Sequence, residues 1–183
     1  MFDLDQFVNE CRAAMNEDVS MQALREVVAR AVSEPNEIMN ALGEPARGHM
    51  QKLHHAVDLT VLNVVWLPNM TLFPHNHNMA AVIGIYSGRE DNIFWRRVHE
   101  NKIEAAGAKA LSDKDAVTLG RDIIHSVTNP ISRFTGALHV YAGDFFNEPR
   151  SEWNPETLAE RPCDPQRIAQ LFETQDASAF AKA

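Results

Sequence analysis

Cysteine is almost missing from this chain: only Cys11 and Cys163 occur in 183 residues, one near each end. They form no CxxC pair, which excludes a disulfide framework and points to a reducing, cytoplasmic setting. Basic excess is missing as well. Lys and Arg total 17 against 25 acids, a formal net charge of −8. That balance argues against a nucleic-acid binder and gives no attraction to anionic membranes, while leaving room for a local basic pocket that takes an anionic substrate. The opening stretch MFDLDQFVNE is acidic and lacks a basic region followed by an apolar run, so no signal peptide is expected. No uncharged apolar stretch approaches the roughly 20 residues that a membrane span requires. Internal repeats and low-complexity tracts are absent too.

The remaining composition is that of an ordinary globular protein, 45% hydrophobic and 23% charged. At this length a chain buries a sizeable core without disulfides or a structural metal. Residues 1–183 read as a single domain: a helical lead-in over 1–50, a β-barrel over 51–150 and a C-terminal extension over 151–183. In the lead-in, Leu4, Phe7, Val8, Cys11 and Met15 recur at spacings of three and four, one face of an amphipathic helix. Ser20 is the expected N-cap of a second helix through Leu24, Val27, Val28 and Val32. A third is headed by Ser33, with Pro35 in its first turn and Gly43 at its end.

From about residue 56 the pattern changes to short β-branched and aromatic runs: VDLTVLNVVWL, MAAVIGIYSG and GALHVYAGDFF. Turn signals separate them at 67–69, 87–91, 112–115 and 128–130. Short strands without long intervening helices indicate an antiparallel sandwich or barrel. The polar, proline-punctuated tail holds a short helix over 165–173 and a frayed end.

Eight histidines are present, and His75 and His77 are the most informative. Residues i and i+2 of a strand share a face, so both imidazoles can reach one metal from inside a barrel. Some fifty positions later, His125 follows a Gly-Arg-Asp turn and precedes Asn129. His139 and Tyr141 form a second pair on one strand face. His49, in a helical or loop stretch, and His99, at a strand end, read as surface or structural residues.

The HxH strand ending in a Gly turn at Gly88, followed by a single-His strand opening at Gly120, resembles the two motifs of the cupins. Within that superfamily, PHNHNMAAVIGIYSG and GALHVYAGDFF are similar to stretches of cysteine dioxygenase and its thiol dioxygenase relatives, as is the spacing from Trp66 to His75. The similarity runs over roughly 56–147. It implies a mainly β fold, the cupin double-stranded β-helix or jelly-roll barrel with an N-terminal helical segment. It also implies a metal held by His75, His77 and His125. Cupins with a carboxylate ligand carry a Glu four or five positions after HxH; here Ala80, Ala81 and Val82 occupy that stretch. Imidazole nitrogens suit iron, nickel, copper or zinc, and the resemblance selects Fe(II), with a small-molecule substrate and O2 as partners and a thiol oxidised to its sulfinic acid. In such enzymes a Ser-His-Tyr relay lies beside the iron; His139 and Tyr141 match it, and Ala137 stands where the Ser would be. The family's carboxylate-binding Arg aligns with His54 or His55, so another arginine would have to serve: Arg47, Arg96, Arg97, Arg121 or Arg133. Two other readings stay open at this point: a three-His iron dioxygenase acting on a non-thiol chelating substrate, and a non-catalytic cupin that binds a small molecule.

Overall fold

The computed structural model describes residues 1–17, 20–99 and 102–180, with His99 and 174–180 described in backbone only. Residues 181–183, the last part of the expected frayed end, and the side chain of His99 therefore lie outside the described residues.

Three helices lead in: α1 (Leu4–Glu17), α2 (Gln22–Val32) and α3 (Pro35–Leu42). Phe7, Val8, Cys11 and Ala14 of α1 are buried, as are Leu24, Val27, Val28 and Val32 of α2, which is the expected apolar stripe. Ser20 is not the cap of α2. Met21 takes that place in the left-handed region with φ 64°, and its own side chain makes no cap bond. The first backbone bond of the helix runs from Arg25 N–H to Met21 O at 2.9 Å. Pro35 opens α3 and Gly43, at φ 91°, ends it as expected.

The strands are β1 (His49–His55), β2 (Thr60–Trp66), β3 (Thr71–Asn76), β4 (Ala81–Ser87), β5 (Arg89–His99), β6 (Lys102–Ser112), β7 (Ala116–Leu119), β8 (Ile124–Thr128), β9 (Thr135–Tyr141), β10 (Ser151–Trp153) and β11 (Glu160–Pro162). A closing helix, α4 (Pro165–Phe180), runs further than the 165–173 read from the tail. Three other boundaries differ from the sequence reading. His49 opens β1, paired with Val65, and so lies on a strand. The strand carrying His125 starts at Ile124, and Gly120 belongs to the preceding turn, its carbonyl accepting from Ile123. No run in the sequence announced β6.

One sheet has the order β1-β2-β9-β4-β7 and the other β11-β10-β3-β8-β5-β6, with all pairings antiparallel. Strands β2 to β9 pair two with nine, three with eight, four with seven and five with six. This is one long hairpin rolled up so that its arms fall alternately into two sheets, the eight-stranded jelly roll of a double-stranded β-helix. The expected cupin fold class is thus the one that forms, mainly β with short helices in front.

The first sheet is buried on both faces, which is why β2, β4 and β9 read as nearly continuous apolar runs. Its inner residues, among them Leu62, Trp66, Ile83 and Tyr141, join the barrel core. Its outer residues, among them Val61, Val82, Leu138 and Val140, pack against α1, α2 and α3. Gly84 permits that contact: a Cβ there would come within 2.5 Å of Val28. No described helix is long and apolar enough to cross a membrane.

Candidate metal centre

His75 and His125 are direct cross-strand partners on β3 and β8, and His77 lies one residue past the end of β3. Pro74, which cannot donate to a ladder, sits where the β3–β8 register shifts between Leu72 and His75. All three imidazoles are buried. His77 Nε2 lies 3.2 Å from His75 Nε2 and 3.3 Å from His125 Nε2. The three residues form a group of potential metal donors with no acid among them.

The other ring nitrogen shows which tautomer is present. His75 Nδ1 lies 3.0 Å from the Phe73 carbonyl oxygen, which can only accept, so Nδ1 carries the proton. His125 Nδ1 lies 2.7 Å from Asn92 Oδ1, and the same reasoning applies. Both residues therefore present a bare Nε2 lone pair to the common point. His77 Nε2 has one proton at most, so the lone pairs cannot all be satisfied by one another. A cation satisfies them. Metal–nitrogen bonds of about 2.1 Å at angles near 100° place ligand nitrogens about 3.2 Å apart, matching the spacing of His77 Nε2 from each of the other two.

Burial also keeps the three rings neutral. It lowers the pKa of His75 from 6.5 to about 4, aided by the nearby charge of Arg150 and opposed by the bond to Phe73. His77 and His125 are held well below the ordinary value by burial first and by the neighbouring imidazoles second. Neutral imidazole is the form that ligates, so no proton has to leave at neutral pH.

The chamber beyond the three rings has a volume of about 20 Å³, with His139, Tyr141, Trp66 and Arg150 in its wall. That is about one water's worth of space. Tyr141 meets the His77 ring edge-on at 4.9 Å between centroids, and its hydroxyl lies 3.1 Å from His139 Nδ1. Burial raises the Tyr141 pKa, so it remains a phenol with a proton to donate. Ala137 is buried in the same strand.

The arginine in this chamber is none of the five read from the sequence. Arg96 pairs with Glu104 and Arg97 with Glu160, while Arg121 and Arg133 lie 3.9 Å from Glu148 and Asp113. Arg47 lines only the outer vestibule. His54 contacts Arg12 and His55 contacts Asp144; the β1 residue that lines the chamber is Met50. Arg150, in the loop between β9 and β10, stacks over Phe145 at 3.9 Å from the ring centroid. Its Nη1 is buried with no hydrogen-bond partner among the described residues. It also lines an apolar vestibule of about 370 Å³ that shares Met50, Phe145 and Ile168 with the chamber.

Glu90 and Asn92 on β5 were not singled out from the sequence either. Glu90 is 0% exposed and Asn92 is 1% exposed, while Ile93 beside them is 41% exposed. Polar residues point inward here and an apolar one outward. Their only sequence signal was the i, i+2 spacing, which is too common to stand out. Asn129, next to the metal strand, ties down a turn: its amide donates to the carbonyls of Leu67 at 2.9 Å and Arg133 at 2.8 Å.

No family model and no curated protein matches the chain in sequence. Solved structures do match in shape. A Bacillus halodurans protein is 16% identical with a TM-score of 0.48, covering 62% of this chain and 77% of its own. An RmlC-like cupin with a double-stranded β-helix fold from Methanocaldococcus jannaschii is 13% identical with a TM-score of 0.45, covering 54% and 82%. Bacillus subtilis oxalate decarboxylase, described with Mn(II) centres, is 13% identical with a TM-score of 0.40, covering 49% of this chain and 22% of its own.

Proposed function

We propose that this protein is a mononuclear non-haem iron dioxygenase that oxidises a small thiol to its sulfinic acid with O2. The observation that carries the reading is the donor set, three neutral imidazoles meeting at one point without a carboxylate. Such a set leaves a dication's charge uncompensated and about three coordination positions free. Bound by His75, His77 and His125, Fe(II) supplies the charge that deprotonates a thiol and the open positions at which thiol and O2 meet. The net reaction is RSH + O2 → RSO2H, with both oxygen atoms ending on sulfur and no further reductant consumed.

The chain's own residues complete the site. Arg150, with one face on Phe145 and a buried nitrogen free to donate, receives an anionic end of the substrate. Tyr141 directs its hydroxyl into the chamber wall beside His77, and His139 orients it. The small chamber keeps bulk water from the reacting atoms. Two unpaired cysteines fit a reducing, cytoplasmic setting.

The apolar vestibule favours a second reading, because 370 Å³ is more than a small thiol fills. On that reading the same iron site acts on a bulkier substrate chelating through two oxygens. Anaerobic loading with Fe(II), then oxygen uptake with 3-mercaptopropionate, L-cysteine, cysteamine, a diketone and a hydroxy acid, separates the two. Uptake is expected with thiols and strongest with those bearing a carboxylate. Uptake with the diketone or hydroxy acid alone selects the second reading. No uptake by iron-loaded protein across the panel overturns both and leaves a binding cupin without catalysis.

A further inference from the structure

Glu90 is a fully buried carboxylate with no Lys or Arg in an ion pair with it among the described residues. A charge in that position is costly unless its bonds accomplish something, so each contact matters. Oε1 accepts from Asn92 Nδ2 at 3.0 Å. Oε2 accepts from Trp66 Nε1 at 2.8 Å and lies 3.5 Å from His139 Nε2. Because Asn92 spends its amide NH2 on Glu90, its oxygen is the atom turned to His125 Nδ1.

We infer that Glu90 is a positioning residue for the metal: through Asn92 it sets the tautomer of His125 and so keeps Nε2 of that ring bare. The inference rests on the three-His metal site and is independent of which substrate is oxidised. His125 Nδ1 is held by a side chain, whereas His75 Nδ1 is held by a backbone carbonyl. One residue removed from the ligand, a carboxylate brings negative charge near a set of donors that has none. Orienting partners of this kind are generally worth 10- to 100-fold in metal affinity.

The same contacts predict what Glu90→Gln does. The Trp66 indole N–H is only a donor, so the Gln oxygen must remain on its side. The Gln NH2 then faces Asn92, whose amide has to turn over and present its own NH2 to His125. His125 Nδ1 must now accept, and its proton moves to Nε2, the metal-facing nitrogen. His139 still faces an oxygen and serves as an internal control. Adding Asn92→Asp restores an acceptor for both neighbours, since one carboxylate oxygen takes the Gln NH2 and the other takes His125 Nδ1–H.

The test uses the full chain labelled with 15N-histidine, read metal-free by long-range 15N–1H correlation, together with Zn(II) affinity by chelator competition. Wild type is expected to carry the His125 proton on Nδ1. Glu90→Gln is expected to move it to Nε2, leave His139 unchanged and weaken Zn(II) binding about 10- to 100-fold. The Glu90→Gln, Asn92→Asp double variant is expected to recover both to within a few-fold of wild type. A wild-type His125 protonated at Nε2 overturns the proposal, as does a double variant that folds yet binds Zn(II) as weakly as Glu90→Gln. If Glu90→Gln does not fold, the wild-type tautomer and the double variant decide. Failure of the thiol assay leaves these readouts untouched, so the two proposals fall separately.

Discussion

The two faces of strand β9 are put to different uses. Leu138 and Val140 turn outward into the core shared with α1, α2 and α3, where the described buried residues include no histidine. Ala137, His139 and Tyr141 turn inward, and the last two line the metal chamber. A shift of one residue in register would exchange these roles completely, because the side-chain period of a strand is two. One strand thus carries cohesion on one face and chemistry on the other. The helical lead-in has a clear task in this arrangement. By covering the outer face it allows the sheet to be apolar there, while on the inner face His139 and Tyr141 sit among the apolar residues of the barrel core.

The comparison breaks most sharply at the metal. His125→Ala removes one of three donors and leaves the packing of the helices alone. Stoichiometric metal, measured by elemental analysis of iron- or zinc-loaded protein, is expected to fall from one per chain to near zero, with any oxygen uptake lost alongside it. Retained stoichiometric metal would place the site elsewhere. Leu138→Ala tests the opposite face. Removal of a fully buried leucine is expected to cost about 2–5 kcal/mol in urea unfolding, while metal stoichiometry remains that of wild type. Loss of metal at unchanged stability would show that the two faces are not separate.

Much of this division was legible in the sequence, for physical reasons that also explain the gaps. Continuous apolar runs such as TVLNVVW and AVIGIYS mark strands buried on both faces, and the HxH spacing fits one side of a strand. The hairpin arm β6 was invisible because only Ile103 and Leu111 of its eleven residues are buried, so no period of two develops. Glu90 and Asn92 were passed over because β5 reverses the usual pattern, with its acid inside and Ile93 outside. Arg150 could not be chosen over five other arginines, since what distinguishes it is an unpartnered nitrogen and a stacked Phe145, which are properties of tertiary placement. His54 and His55 do lie on a strand, β1, but the β1 residue in the chamber wall is Met50, and the register of β1 on β2 shifts between Lys52 and His54.

The smallest effect concerns acid, and it sharpens the comparison without a substitution in the site. In the metal-free protein the His75 pKa lies near 4, below the 6.5 of an exposed imidazole, because the ring is buried. The unfolded chain therefore takes up its proton first. Stability from this group is complete above about pH 6.5 and is lost as pH falls toward 4, a loss of about 3 kcal/mol at roughly 1.36 kcal/mol per pH unit. His77 and His125 act in the same direction. Urea midpoints of metal-free protein are expected to drop between pH 7 and pH 4.5, and saturating Zn(II) is expected to move the drop to lower pH, since protons must then displace the metal. Leu138→Ala should lower the whole profile without changing its slope over this range, because Leu138 packs in the helix-facing core while the three rings line the chamber on the other side of the sheet. A variant profile flatter than that of wild type would mean that the outer face contributes to keeping the three rings dry.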